Sequence, residues 1–249
     1  GIDQRKFPEG VKPLIAHVKA LVLEFENWFE PELINVHRDR FRWPPASVLG
    51  SPNQVRDRQQ LVLDMAREEA RTAIYDRSSK NLADNDIGYI KWDHNRVLPV
   101  VDAAQTDGVY ALMDRLRADF PHVEIESCAS GGGRVDFGIL QRTQRVWLSD
   151  SNDALERQRI QHEAALFLPA CVTGSQVGPR VSHTSGRTLG MELRAWTAAQ
   201  RHMGFEMDPR ELSDAEAETL KEVTGWWKAN RDWMMRAGIL RLDTSDPAM

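Results

Sequence analysis

The sequence predicts an α/β fold of the (β/α)8-barrel type, incomplete, with about six βα units in place of eight. Three observations lead there. Short apolar or β-branched runs alternate with longer helical patterns, the order in which βαβ units build a parallel sheet. Polar and charged residues gather just past several of those runs: Glu30 and Glu32, Asp93 and Asn95, Cys128 to Arg134, Asp150 and Asp153, and Asp208. Barrels build their sites from loops at the C-terminal ends of the strands, and this placement suits one. The third observation is size: 249 residues, 41% of them hydrophobic, are ample for one core of this type. A doubly wound open sheet would distribute polar residues similarly, so pattern alone leaves both architectures open.

The elements follow in order. Gly10–Ala20 reads as a helix, the tail of an earlier unit, and Leu21–Phe29 as the first strand. Pro44, Pro45 and Pro52 make Trp43–Pro52 a loop, because they break any regular element. Gln59–Tyr75 reads as a helix, Gly88–Trp92 as a strand, Asp107–Asp119 as a helix and His122–Glu126 as a strand. Strand Arg145–Leu148, helix Ala154–Leu168, strand Gly174–Val181, helix Leu189–Arg201 and strand Met203–Met207 continue the alternation. A long helix, Asp214–Met235, closes it, with Trp226, Trp227 and Trp233 on one face. An open six-stranded parallel sheet would leave unpaired edges, so the expectation is a barrel lacking roughly its first two strands. Residues 1–240 are assigned to that barrel and residues 241–249 to the start of a C-terminal segment.

Composition excludes several classes. The net charge of −5, from 32 basic and 37 acidic residues mixed along the chain, argues against nucleic acid as a partner. No apolar run approaches the roughly 20 residues that span a bilayer, so no membrane is expected. No secretory signal opens the sequence, although it starts at Gly1 and its true N-terminus is expected to lie elsewhere. Two cysteines, Cys128 and Cys171, cannot build a disulfide framework, which favours a reducing, cytoplasmic home.

The sharpest local signal is Lys91-Trp92-Asp93-His94-Asn95-Arg96, where an apolar strand ends abruptly in charged and polar groups. Alternation puts Lys91, Asp93 and Asn95 on one face, as in a site that grips a polar ligand; an ordinary strand-end turn is the plainer alternative. The second signal, Glu126-Ser127-Cys128-Ala129-Ser130-Gly131-Gly132-Gly133-Arg134, lets the backbone approach something closely. It lacks the Gly-Lys-Ser/Thr ending of a phosphate-binding loop, and Cys128 has no obvious His to activate it. The third is Ser149-Asp150-Ser151-Asn152-Asp153-Ala154-Leu155-Glu156. Asp153 and Glu156 fit a capping box at a helix start, whereas Asp150 sits at the strand end with no such local explanation. Two carboxylates on separate strand ends suggest acid/base or nucleophilic work on a glycosidic bond. The seven His show no zinc spacing, and a magnesium site built from scattered Asp stays open.

These segments, with Trp28-Phe29-Glu30-Pro31-Glu32, Arg58-Gln59-Gln60-Leu61-Val62-Leu63-Asp64 and Gly204-Phe205-Glu206-Met207-Asp208-Pro209, resemble glycoside hydrolase family 36 in order and spacing over nearly the whole chain. The resemblance implies a retaining α-galactosidase on a (β/α)8 barrel, with no metal and no cofactor, acting on melibiose- or raffinose-type oligosaccharides. It puts Asp93 on the nucleophile and Asp150 on the acid/base. Trp28, Arg58, Lys91 and Asn95 fall on sugar-contacting positions, and Cys128 and Gly131 on a Cys-x-x-Gly element facing the sugar's 2-hydroxyl. Lys91 is expected to keep Asp93 ionised through its positive charge.

Several departures accompany it. The family's Asp-Asp-Gly-Trp segment and N-terminal β-sandwich are absent, which leaves room for a homo-oligomer in the full-length protein. Gln176 stands where a His is expected, and Arg42–Gly50 lacks the usual His-Pro-Asp-Trp. Transglycosylation, α-N-acetylgalactosaminidase activity and a non-catalytic, truncated sugar-binding barrel remain as alternatives.

Overall fold

A computed structural model describes residues 3–35, 47–51, 53, 59–100 and 103–241, and divides into two units at Gln144 and Arg145. The first unit opens on helix α1 (Lys12–Ala20), started by a proline in its first turn. Its end consumes what the sequence suggested was strand. The N–H groups of Val22 and Leu23 return to the carbonyls of Lys19 and Val18, with Val22 at φ 59°, so Leu21–Leu23 cap the helix. Strand β1 (Glu26–Phe29) therefore begins later than expected.

Between β1 and the next helix the chain adds an antiparallel pair, β2 (Leu33–Asn35) and β3 (Gln60–Val62), in register Leu33 to Val62 and Ile34 to Leu61. This overturns the start of the expected Gln59–Tyr75 helix. Leu61, Val62 and Leu63 are all buried, and a short apolar run buried on every side has no helical period to read. Helix α2 spans Glu68–Asp84 and buries Ala70, Ile74, Ser78 and Leu82, one residue in four along a single stripe. Strand β4 (Tyr89–Trp92), helix α3 (Ala103–Asp119), strand β5 (Glu124–Ser127) and the short helix α4 (Phe137–Leu140) complete the unit. β1, β4 and β5 are parallel, with Trp28 opposite Lys91 and Lys91 opposite Glu126. Parallel register puts Trp28, Lys91 and Glu126 on one face of the sheet, and Phe29, Trp92 and Ser127 on the other.

The second unit repeats the pattern. Strand β6 (Arg145–Val146), helix α5 (Ala154–Ala164), strand β7 (Gly174–Val177), helix α6 (Met191–Ala198), strand β8 (His202–Phe205) and helix α7 (Asp214–Met234) follow in order. β7 and β8 are parallel, and Val146 bridges Thr173 in the parallel sense. Ala195 and Ala198 on α6, and Ala199 at its C-cap, are small enough for α7 to lay Val223 against them, with Leu220 and Trp227 partly buried beside it. The three tryptophans do not share a role. Trp227 packs inward and donates to the Arg201 carbonyl at 2.8 Å, while Trp226 stacks edge-on with Trp196 and Trp233 stays exposed.

Candidate active site

Asp93 is the residue immediately after β4. Its N–H donates to the Phe29 carbonyl at 2.8 Å, and the Cys128 N–H donates to the Trp92 carbonyl at 2.8 Å, so both residues extend the sheet ladder by one step. The Asp93 side chain is buried, yet densely served by donors. Oδ2 accepts from Trp28 Nε1 at 3.1 Å and from Asn95 Nδ2 at 2.6 Å; Oδ1 accepts from the His94 N–H at 2.8 Å. Burial alone would raise this carboxyl's pKa, but the hydrogen bonds from Asn95, the Cys128 thiol, Trp28 and the His94 backbone outweigh it and hold it below its ordinary value.

Neutral donors thus lead, where the sequence pointed to Lys91. The Lys91 ammonium lies 3.5 Å from Glu126 Oε1, its register partner across β4 and β5, and the Tyr89 hydroxyl donates to Glu126 Oε2 at 2.7 Å. Asn95 is the crosspiece of the cluster. Its amide also donates to Glu30 Oε1 at 2.7 Å, and its Oδ1 accepts from the Ser130 N–H and hydroxyl, both at 3.2 Å.

The glycine loop supplies the next wall. Ser130 and Gly131 both have positive φ, 48° and 85°, which turns the chain back so that the Gly131 N–H reaches the Cys128 sulfur. A Cβ at Gly133 would lie 2.5 Å from the Ala129 carbonyl oxygen. The N–H groups of Ser130, Gly131 and Gly133 are spent on Asn95, Cys128 and Ala129, which disposes of the phosphate-cradle reading. Burial, and then the neighbouring Asp93 charge, push the Cys128 thiol up to about 12, so near neutral pH it is a protonated donor.

Behind this cluster stands a buried acid that the sequence showed only as one polar residue after a strand. Glu32 is 1% exposed. Arg134 approaches it with Nη1 at 2.8 Å from Oε1 and with Nη2 donating to Oε2 at 3.1 Å. Trp92 Nε1 donates to Oε1 at 2.9 Å, and His94 Nδ1 lies 3.5 Å from Oε2. Burial works against its charge, but Arg134 and His94 overcome that and hold the carboxyl at about 2.

In the second unit, Asp150 is exposed on the turn that follows β6, and that turn is heavily braced. Arg157 is fully buried; it stacks over Trp147 at 4.4 Å and donates to the carbonyls of Ser149 and Gly174, both at 3.0 Å. Asn152 donates to Glu206 Oε2 at 2.5 Å. Asp153 caps α5, accepting from the N–H groups of Leu155 at 3.0 Å and Glu156 at 3.2 Å. It also accepts from the Ser185 hydroxyl and pairs with Arg187 at 3.1 Å. The box is not reciprocated: Glu156 accepts from the Ser151 hydroxyl at 2.7 Å and meets Arg187 at 3.5 Å.

Trp28, Asp93, Asn95, Cys128 and Gly131 thus form one connected cluster, with Lys91 on the neighbouring rung. Arg58 lies outside the described residues, as do the prolines of the Trp43–Pro52 loop. Glu30 and Glu126 belong to the cluster as acceptors; the sequence shows them only as acids near strand ends, and the register of β4 and β5 brings Glu126 to Lys91. Among the described residues no group of three or more His, Cys, Asp or Glu could hold a metal ion, and no helix is long and apolar enough to cross a membrane.

Carboxylates on the strand ends of alternating parallel α/β units are the arrangement of barrel glycoside hydrolases. A family model described as Melibiase matches residues 1–237, and the chain belongs to that family. It is 41% identical to an α-galactosidase of Escherichia coli over 99% of this chain and 36% of that protein. The crystal structure of a variant of the GH36 α-galactosidase AgaA from Geobacillus stearothermophilus, in complex with raffinose, matches with a TM-score of 0.91 at 30% identity, over 98% of this chain and 36% of that one. The galactosidase domain of the α-galactosidase–sucrose kinase AgaSK matches with a TM-score of 0.91 at 33% identity, over 97% of this chain and 35% of that one. The chain therefore spans about a third of its relatives' length, and its parallel strands alternating with helices match part of the GH36 catalytic barrel.

Proposed function

We propose that this chain carries the reacting carboxylates of a retaining α-galactosidase, with Asp93 as nucleophile and Asp150 as acid/base. The observation that carries the reading is the Asp93 carboxylate, buried at a strand end and kept ionised by four hydrogen bonds. A nucleophile must be unprotonated and aimed, and fixed donors achieve both. An oxygen of Asp93 attacks the anomeric carbon as the glycosidic C–O bond breaks, and Asp150 gives its proton to the departing oxygen. Asp150 then takes a proton from water, whose oxygen bonds to the anomeric carbon and displaces Asp93. Retention by this route needs carboxyl groups about 5–5.5 Å apart.

Trp28, Arg58, Lys91, Asn95, Cys128 and Gly131 are assigned to the galactosyl unit. Cys128 lines that position as a neutral thiol whose hydrogen is already given to Asp93, in keeping with its raised pKa. Complexes of relatives with raffinose and stachyose support terminal α-galactosides of oligosaccharides as the substrate class. The test is Asp93→Gly in the intact protein. Turnover should fall to background, and added azide should restore release of an activated aryl group with a β-galactosyl azide as product. An α-azide, or near-normal activity without azide, would overturn the assignment.

A further inference from the structure

We infer that Glu32 is a positioning residue for Asp93, tying the two walls of the site to one buried carboxylate. The inference rests on the reading of Asp93 as nucleophile. Glu32 is joined by Trp92 and His94, the residues on either side of Asp93, and by Arg134, which closes the glycine run. Its own carbonyl accepts the Leu63 N–H at 2.8 Å, so the end of β3 is anchored to the same residue. The glycine run in turn reaches Asp93 through Cys128 and through Ser130 and Asn95.

A charge is a poor choice here if stability alone were at stake. Breaking water's hold on a carboxylate and a guanidinium is costly, and well-packed apolar side chains often serve stability as well or better. What the ion pair adds is direction. Both Glu32 oxygens receive groups from separate segments, which fixes the angle of Trp92 and the placement of Arg134 together. Misplacing a reacting group by about 1 Å can cost on the order of 100-fold in rate, so an anchor of this kind acts on kcat without touching the sugar.

The experiment compares variants of the intact protein on a nitrophenyl α-galactoside, with kcat and KM measured separately. Glu32→Gln keeps the shape and an acceptor for Trp92 but loses the pair with Arg134, and kcat should fall about 10- to 100-fold with KM within about threefold. Trp92→Phe removes the indole donor together with part of a buried ring, so it should lower Tm as well as kcat, the latter several-fold per folded molecule in the same pattern, and it carries the test if Glu32→Gln does not fold. Leu112→Ala, in the buried face of α3, is the control: it should lower Tm while leaving kcat per folded molecule unchanged. Wild-type kcat in folded Glu32→Gln or Trp92→Phe, beside an inactive, azide-rescued Asp93→Gly, would overturn the positioning role alone. Near-normal turnover of Asp93→Gly would overturn both.

Discussion

Asp150 and Asp153 are separated by two residues; Asp153 caps α5, and the proposal above gives the acid/base task to Asp150. Asp153 is fully buried, and burial alone would raise its pKa; the Ser185 hydroxyl, the Glu156 and Leu155 N–H groups and Arg187 prevail and lower it. A carboxyl depressed on folding stabilises the protein above its unfolded pKa, near 4, and that contribution is lost as pH falls through the lower folded value. Asp153→Ala should therefore cost about 0.5–2 kcal/mol at neutral pH, and the difference from wild type should shrink in acid. Denaturant melts at pH 7 and pH 3 check this. Asp150→Ala should instead slow melibiose hydrolysis by about 100- to 10,000-fold while an activated aryl galactoside suffers less, and azide should give the α-galactosyl azide. Finding that leaving-group dependence in Asp153→Ala would reverse the two roles. Much of this was legible residue by residue. The spacing of Lys91, Asp93 and Asn95 puts them together, as the structure does, and Asp153 reads as a cap from Leu155 and Glu156 just beyond it. Glu32 and Glu126 were not legible in this way, because nothing local says which buried cation or hydroxyl an acid will meet; the strand register decides that.

At the scale of the element, α3 and α7 each carry a glycine within the helix, and the two predict opposite outcomes. A Cβ on Gly108 would lie 1.9 Å from the Met65 carbonyl oxygen. That segment cannot easily give way: Gln105, on the same face of α3, accepts from the Met65 N–H at 2.7 Å and donates to the Leu63 carbonyl at 3.0 Å. Arg71 donates to the Met65 carbonyl at 2.7 Å as well. Gly108→Ala should destabilise by about 1–3 kcal/mol, although alanine ordinarily gains about 1 kcal/mol over glycine within a helix. Gly225, in α7, has nothing within 4 Å of its would-be Cβ, so Gly225→Ala should gain about 0.5–1 kcal/mol. Chemical denaturation of both variants decides it, and a stabilised Gly108→Ala would show that α3 stands off from Met65. Such a contact is invisible to periodicity, and so were β2 and β3. Amphipathic stripes and strand-end polar clusters gave six parallel strands and most of the helices between them, but not α4, and α2 begins nine residues later than expected. β3 is three residues long and gains its strand character from pairing with β2 rather than from its own sequence. Leu21–Leu23 looked like strand because they are apolar, but they terminate a helix.

At the scale of the whole molecule, apolar side chains are exposed on β1 and on the α1 cap just before it. Leu21, Val22 and Leu23 are 58%, 93% and 56% exposed, Trp28 is 49% exposed, and β1 pairs with β4 alone among the described residues. An open groove of about 490 Å3 runs beside the strand, walled by Trp28, Phe29, Leu33 and Ile74. A strand with a single partner among the described residues, close in sequence to exposed aliphatic side chains, is a template for association, and a net charge of −5 spread over 249 residues offers little repulsion against it. These 249 residues expressed alone should therefore self-associate and hydrolyse an aryl α-galactoside far more slowly than the intact protein. Size-exclusion chromatography with light scattering, followed by the activity assay on each fraction, would show it. Val22→Asn sharpens the test. At φ 59° a β-branched residue is strained and asparagine is tolerated, so the substitution should relieve backbone strain and remove apolar surface together. The monomer fraction should rise without restoring activity, because no site residue is touched. A soluble, cooperatively unfolding monomer with ordinary turnover would show that the β1 edge needs no cover.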